Sequence, residues 1–181
     1  MALQQVALFR GINVGRAKRV AMADLRRVLE RLELQDVTTI LASGNVVFAI
    51  PRPRRPAPLA ASIRRGVLEA TGIDAAVTVI DAATWRAMVA GNPLVASATD
   101  PSRLLMFVPQ DRGRLDDLSA LAGQDWGAEA LAVGDLAAYV WCPDGVLASR
   151  AAAAVDRVLS GDSTARNWAT VAKISRVLDD P

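Results

Sequence analysis

The sequence contains no histidine and only one cysteine among its 181 residues. The lack of histidine excludes Ser-His-Asp and Cys-His catalysis, histidine-ligated metals and a histidine pH switch. The single cysteine, Cys142, forms neither an internal disulfide nor a CxxC site. It ends the strand-like run Tyr139–Cys142, which favours a buried structural thiol over a nucleophile. We therefore expect no cofactor and no catalytic metal, with magnesium or calcium on carboxylates alone as the remaining possibility.

Long apolar runs are also missing, and no run approaches the length of a membrane span. The first five residues, Met1 to Gln5, lack the charged region and apolar run of a signal peptide. Together with the lone cysteine, these features predict a cytoplasmic protein with no membrane partner.

Hydrophobic residues make up 52% and charged residues 22% of the chain, which is typical of a globular protein. The length of 181 residues predicts one domain or two small, closely packed ones. The net charge of +2 is uneven: residues 1–73 carry 12 Lys/Arg and 5 Asp/Glu, whereas residues 74–181 carry 9 and 14. This asymmetry indicates an anionic partner for the first half, attraction between the halves, or a solvated surface.

The first half predicts the order β-α-β-β-α-β, which is the ferredoxin-like pattern. Its elements are a strand at 6–9, an amphipathic helix at 21–32, a hairpin of strands 37–41 and 46–50, a helix at 59–70 and a strand at 75–80. Between the hairpin and the second helix, four prolines in residues 51–58 exclude a helix and a central strand. The three arginines of this segment favour a stiff, solvated connector, and the alternative is contact with a phosphate backbone.

The second half repeats the order β-α-β-β-α without a final strand. A short helix capped by Asp81 and a linker at 96–102 precede a strand at 103–108, a helix marked by Leu115 and Leu118, a hairpin of strands 128–133 and 136–141, and a helix at 146–159. A last helix carries Trp168, which we expect to be buried against Val171. The predicted fold is α+β, with two ferredoxin-like subdomains packed together, the second lacking its final strand and ending in a helix. The predicted boundaries are 1–95 and 96–181.

A polar stretch follows the first strand, from Leu8 to Lys18. Gly11 and Gly15 permit unusual backbone angles, and Arg10, Asn13, Arg16 and Lys18 place donors around the loop. This combination suits an anion, although its spacing matches neither a phosphate-binding P-loop nor the dinucleotide fingerprint. The alternative is a strand-to-helix turn whose arginine pairs with a carboxylate.

Two further groups of polar residues lie at predicted element ends. Ser43 and Asn45 cap the first hairpin, and Arg166, Asn167 and Lys173 belong to the last helix, the first two in its first turn. The predicted ligand-binding residues are Arg10, Asn13, Lys18, Ser43, Asn45, Arg166, Asn167 and Lys173. Arg10, Asn13, Asn45 and Arg166 are expected to surround one polar cleft. Alternatively, Asn45 serves a turn and Arg166 pairs with Asp162. No residue is singled out as catalytic, and no metal site is indicated.

Three blocks of sequence together resemble an uncharacterised bacterial family, domain of unknown function 1697. They are Leu8 to Gly15 (LFRGINVG), Ser43 to Phe48 (SGNVVF) and Thr164 to Lys173 (TARNWATVAK). The resemblance implies an α+β fold of two ferredoxin-like subdomains and no assigned activity, substrate or catalytic residue. Arg16 stands where the family commonly has a second glycine, whereas Lys18 matches a basic position.

Four classes of function remain open. The favoured hypothesis is a binding or regulatory module for a phosphorylated or other anionic small molecule. A nucleic-acid binder that uses its sheet needs exposed aromatic side chains, and only Phe9 and Phe48 are candidates in the first sheet. A histidine-free enzyme would need a carboxylate, a lysine or a tyrosine as acid or base; Lys18, Lys173 and Tyr139 are possible candidates. The fourth class is a structural interaction protein.

Overall fold

The structure, a computed structural model, describes residues 3–13 and 19–179. Up to residue 90, the described chain forms β1 (Leu3–Phe9), α1 (Met22–Arg31), β2 (Gln35–Ile40), β3 (Asn45–Ile50), α2 (Pro56–Thr71), β4 (Val77–Asp81) and α3 (Ala82–Ala90). The remainder forms β5 (Leu104–Pro109), a 3-10 helix (Arg112–Leu118), α4 (Ser119–Ala122), β6 (Ala130–Val133), β7 (Ala138–Trp141), a second 3-10 helix (Val146–Ala148), α5 (Arg150–Leu159), β8 (Ser163–Asn167) and α6 (Trp168–Asp179).

The first four strands form an antiparallel sheet in the order β2-β3-β1-β4. Alternate residues of β1 and β3, including Phe9 and Phe48, join one buried cluster with Leu25 and Leu29 of α1 and Ile63 of α2. Because side chains alternate across a strand, this cluster defines the sheet face that the two helices cover. β1 lies in the middle of the sheet, so the loop that follows it is held by rigid neighbours on both sides.

Helix α2 begins three residues earlier than the proline pattern predicts. Pro56 and Pro58 lie in its first turn, and Leu59 N–H donates to the carbonyl of Arg55 at 3.2 Å. The prediction that residues 51–58 form no helix is therefore wrong for residues 56–58. The physical reason is that N–H groups in the first turn have no acceptor within the helix, so prolines cost little there.

The second sheet is also antiparallel, in the order β6-β7-β5-β8. The absence of a final strand was predicted incorrectly, because Ser163–Asn167 pairs with β5 and sets Arg166 opposite Met106. Arg166 and Asn167 consequently lie in this strand, and the last helix begins only at Trp168. β8 is polar and lacks apolar alternation; its pairing depends on the tertiary neighbour β5. The predicted α+β class is confirmed, with an antiparallel sheet in each half.

The chain divides into two compact units. The first comprises the chain up to Trp85 together with the segment from Ile174 onward, and the second is Arg86–Lys173. This division differs from the predicted boundary at residues 95 and 96, because the end of α6 belongs to the first unit. There Trp85 Nε1 donates to Ser175 Oγ at 3.0 Å, across 90 positions of sequence.

Two tryptophans in helices have different environments. Trp85 in α3 is fully buried, whereas Trp168 at the start of α6 is only half-buried. The burial of Trp168 is therefore less complete than the prediction of burial against Val171 implies. Val171, Ile174 and Leu178 of the same helix are all buried. Trp168 is the first residue of α6, so no preceding helical turn covers its side chain as it covers theirs.

Candidate functional site

The first two sequence blocks meet at one end of the first sheet. Phe9 N–H donates to the carbonyl of Gly44 at 2.8 Å, so the last residue of β1 bonds to the turn between β2 and β3. Gly44 has φ +77°, and a Cβ there would lie 2.7 Å from Phe9 Cβ and 2.6 Å from Ile12 Cδ1. The loop after β1 thus packs directly on the hairpin turn, and a glycine is required at the contact.

Asn13 ties this loop to both of its neighbours. Its Nδ2 donates to the carbonyls of Val20 at 2.9 Å and Ala42 at 2.7 Å, and its Oδ1 accepts from Val20 N–H at 3.0 Å. Asn13 has φ +55°, a left-handed conformation that asparagine tolerates better than most residues. Both amide hydrogens are engaged with backbone carbonyls, so this side chain fixes the loop in place.

Asn45 has a similar role within the hairpin. It is fully buried, and its Nδ2 donates to the carbonyl of Ile40 at 2.9 Å and to Ser43 Oγ at 3.0 Å. These bonds close the four-residue turn between β2 and β3 and match the alternative interpretation that Asn45 serves the turn. Ser43 itself is exposed at the tip.

Arg10 and Gly11 form the open side of the loop. Arg10 is half-buried, and its backbone N–H donates to the carbonyl of Ala76 at 2.9 Å. Gly11 is exposed with φ +70°, and a Cβ there would meet no atom within 4 Å. One face of the loop is therefore packed through Ile12 and Asn13, while the face at Gly11 has room for a guest. Lys18 lies outside the described residues, as do Gly15 and Arg16.

The third block lies in other elements. Arg166, in β8, donates from Nη1 to Thr164 Oγ1 and to the carbonyl of Ala165, both at 2.8 Å. Burial lowers the pKa of the Arg166 guanidinium to about 10. Asn167 Oδ1 accepts from Thr170 N–H at 3.0 Å and so caps α6, whereas Lys173 is exposed. Arg166 and Lys173 belong to the second unit, and Arg10, Asn13 and Asn45 to the first. That all of these contribute to one cleft stays a prediction.

A cleft of about 270 Å³ lies within the second unit, beside the N-terminus of α5. It is lined by Trp126, Gly127, Ala128, Glu129, Cys142, Asp144, Gly145, Ala148, Ser149 and Arg150. Glu129 Oε2 accepts from Ala151 N–H at 3.0 Å and from Ser149 Oγ, while its Oε1 accepts from Arg150 N–H at 3.1 Å. An internal carboxylate thus occupies the position where a helix N-terminus attracts anions.

Burial raises the pKa of the Glu129 carboxyl, but the hydrogen bonds from Ser149, Ala151 and Arg150 outweigh burial and leave its pKa below the ordinary value. Cys142, which lines the same cleft, is fully buried, and burial raises the pKa of its thiol. The expected burial of this thiol is therefore confirmed, and its structural role stays a prediction. No sequence motif predicts a role for Glu129, which in the sequence is only a single carboxylate directly before β6.

The aromatic candidates for base stacking are not accessible. Phe9 and Phe48 are each 1% exposed, because both face the helices that cover the first sheet. These two side chains therefore offer no stacking surface to a nucleic acid.

Within residues 3–13 and 19–179, no group of three or more Asp, Glu and Cys side chains is arranged to hold a metal ion. No helix in the same ranges has the length and apolar character to cross a membrane.

The sequence matches the family described as "Protein of unknown function (DUF1697)" over residues 3–139, and the chain belongs to that family. The first two sequence blocks lie inside the matched region, and the third lies beyond it. No curated protein matches the chain.

Among solved structures, the chain is similar to conserved bacterial protein SP0830 from Streptococcus pneumoniae. The TM-score is 0.74 at 20% identity, covering 98% of this chain and 99% of that one. Protein BT0572 from Bacteroides thetaiotaomicron aligns with a TM-score of 0.23 at 14% identity, covering 97% of each chain. The likeness to SP0830 shows a shared fold.

Proposed function

We propose that this chain is a binding or regulatory module for a phosphorylated or other anionic small molecule, held at the loop after β1. The observation that carries the proposal is the two-sided character of that loop. Asn13 and Ile12 hold one side against the hairpin, while the exposed Gly11, next to Arg10 in sequence, has open space where a Cβ would lie. Recognition of a small anion requires a rigid support, room for the ligand and a cationic residue in the loop.

The charge of the surrounding unit favours an anionic ligand. By sequence, the first unit carries 13 Lys/Arg and 9 Asp/Glu, whereas the second carries 8 and 10. A net positive unit raises the local concentration of anions around its surface. Arg10 supplies a planar guanidinium that is able to bind a phosphate or carboxylate through two parallel hydrogen bonds.

The other predicted site residues take different roles in this proposal. Asn13 and Asn45 are positioning residues, because their amides donate to backbone carbonyls of the loop and the turn. Ser43 lies in the hairpin turn beside Gly44, and Lys18 follows the loop in sequence. Arg166, Asn167 and Lys173, which belong to the second unit, stay predicted ligand residues.

Each unit is further proposed to be ferredoxin-like. The support is the β-α-β-β-α-β order of the first half and the equivalent sheet orders β2-β3-β1-β4 and β6-β7-β5-β8. The second half departs from the simple pattern through its two 3-10 helices. A cytoplasmic location is proposed on the buried, free thiol of Cys142, which fits a reducing compartment.

Isothermal titration calorimetry with pyrophosphate, adenosine monophosphate and citrate tests the ligand proposal. At least one of these probes should bind the wild-type protein, and Arg10→Ala should weaken that binding about tenfold or more, the effect of losing one charge-assisted hydrogen bond. The matched control is Arg26→Ala, which removes the same charge from an exposed position of α1. Failure of all three probes to bind the wild type, or equal affinity of wild type and Arg10→Ala, would overturn the proposal.

A further inference from the structure

A second cationic surface of the first unit is residues 51–58, which join β3 to α2 and include the first three residues of that helix; we call this segment the connector. Residues 51–58 are all exposed and have the sequence Pro-Arg-Pro-Arg-Arg-Pro-Ala-Pro. β3 runs from Asn45, opposite Leu8, to Ile50, opposite Leu3. The connector therefore begins at the opposite end of the sheet from the turn that holds Gly44 and Asn45. The length of a six-residue strand, roughly 20 Å, therefore separates the start of the connector from the Arg10 loop.

One of its three arginines anchors the connector. Arg54 Nη1 donates to the carbonyl of Leu32, at the end of α1, at 3.3 Å, and Arg54 Nη2 lies 3.9 Å from Glu33 Oε2. Carbonyl groups at a helix C-terminus accept no hydrogen bond from within the helix, so a cationic donor near them is favourable. Arg54 thus binds the connector to the helical layer and leaves Arg52 and Arg55 at its exposed surface.

The prolines make this surface stiff. Proline fixes φ near −65° and restricts the residue before it to extended conformations, and Arg52 and Arg55 each precede a proline. Arg55 has φ −66° and ψ 135°, an extended conformation close to polyproline II. A connector that is already ordered loses little conformational entropy when a partner binds.

Helix α2 adds to the positive potential at the same place. Its 16 residues begin at Pro56, no acidic residue lies in its first turn, and no side chain caps it. The positive end of the helix dipole therefore points toward the connector, and no acidic side chain of the first turn of α2 neutralises it. This differs from α5, whose N-terminus Glu129 occupies.

We infer that the connector is a docking surface for the phosphate backbone of a nucleic acid, contacted by Arg52 and Arg55. Backbone binding is driven by counterion release and needs no apolar centre. Protein interfaces gain much of their binding energy from aromatic side chains buried in pockets of the partner, and the eight residues of the connector include no aromatic residue. This mode of nucleic-acid binding differs from base stacking on the first sheet, for which the buried Phe9 and Phe48 offer no surface.

Salt-dependent fluorescence anisotropy tests the inference, with a labelled oligothymidylate of about 20 nucleotides and a duplex of equal length, between roughly 50 and 200 mM salt. The wild type should bind with an affinity that falls linearly on a log–log plot. The double variant Arg52→Ala with Arg55→Ala should lower the slope by about 1.4 for the single strand or about 1.8 for the duplex, because two phosphate contacts are lost.

The matched control is Arg26→Ala with Arg65→Ala, which removes two exposed charges from the outer surface of α1 and α2. This control should keep the wild-type slope; an equal loss in both double variants would show that net charge alone binds the probe. Absence of binding in low salt, or displacement by polyglutamate as effective as by unlabelled oligonucleotide, would also overturn the inference. Arg52 and Arg55 take no part in the proposed small-ligand site, so failure of this test would leave the small-ligand proposal intact.

Discussion

Asn13 Nδ2 lies 2.7 Å from the carbonyl oxygen of Ala42, which joins the loop after β1 to the turn of the first hairpin. The same amide also bonds to Val20, so one side chain connects the loop after β1, the residues just before α1 and the turn of the first hairpin. The conformation of the proposed ligand loop therefore depends on a residue that the sequence pattern had suggested as a ligand contact.

Replacing Asn13 should destabilise the protein while leaving its secondary structure intact. Asn13→Ala removes three hydrogen bonds at a left-handed position, and we expect the free energy of unfolding to fall by about 1–3 kcal/mol in urea denaturation. Asn13→Gly is the control, because glycine keeps the backbone conformation without the amide. A loss for Asn13→Gly close to that for Asn13→Ala would assign the effect to the hydrogen bonds, and wild-type stability in both would contradict their importance.

Gly44 and Gly11 offer a matched pair, since their φ angles are +77° and +70°. Gly11→Ala should cost about 1–2 kcal/mol of unfolding free energy, from backbone strain alone. Gly44→Ala should cost about 1–3 kcal/mol more, because its Cβ would meet Phe9 Cβ, an atom attached to the backbone. Equal losses in thermal or urea unfolding would show that the loop does not pack on the turn as described.

Glu129 predicts a specific dependence of stability on acid. Its folded pKa is lowered, so its carboxylate stabilises the native state at pH above the ordinary value of 4.5, and this contribution is lost as the pH falls through the folded pKa. Glu129→Gln should therefore cost about 1–3 kcal/mol at neutral pH, and the difference from wild type should shrink below pH 4.5. A difference that stays constant between neutral and acidic pH, in urea titrations, would refute this role.

Tyr139 is the only tyrosine, so absorbance titration reports on it directly. Its hydroxyl donates to the carbonyl of Met88 at 2.6 Å, and burial raises its pKa to about 12. The raised pKa shows that the native state favours the neutral hydroxyl. The contribution of Tyr139 to the free energy of unfolding should therefore be fully present below pH 10 and decline as the pH rises toward 12. Tyr139→Phe should lose about 1–2 kcal/mol at neutral pH. Phenolate absorbance appearing near pH 10 in folded protein would contradict the burial.

The sequence predicted those parts of the fold that follow from local periodicity. Val6 to Phe9 and the hairpin around Gly44 were recognisable from β-branched runs and turn residues, and α1 from its apolar spacing. Arg10, Asn13 and Asn45 were predicted to form one polar group because each lies at the end of a predicted regular element. Their roles were not evident, because the acceptors of an amide are set by neighbours such as Ile40 and Ala42.

Sequence alone determined the absence of histidine chemistry, the α+β class and the place of the polar loop after the first strand. Each of these depends on residue type or on spacing within one element. Tertiary structure decided that Ser163–Asn167 is a strand, that the end of α6 joins the first unit, and that Glu129 occupies the N-terminus of α5. Each of these depends on partners far along the chain, such as β5, Trp85 and Ser149, and no local pattern of residues encodes such a contact.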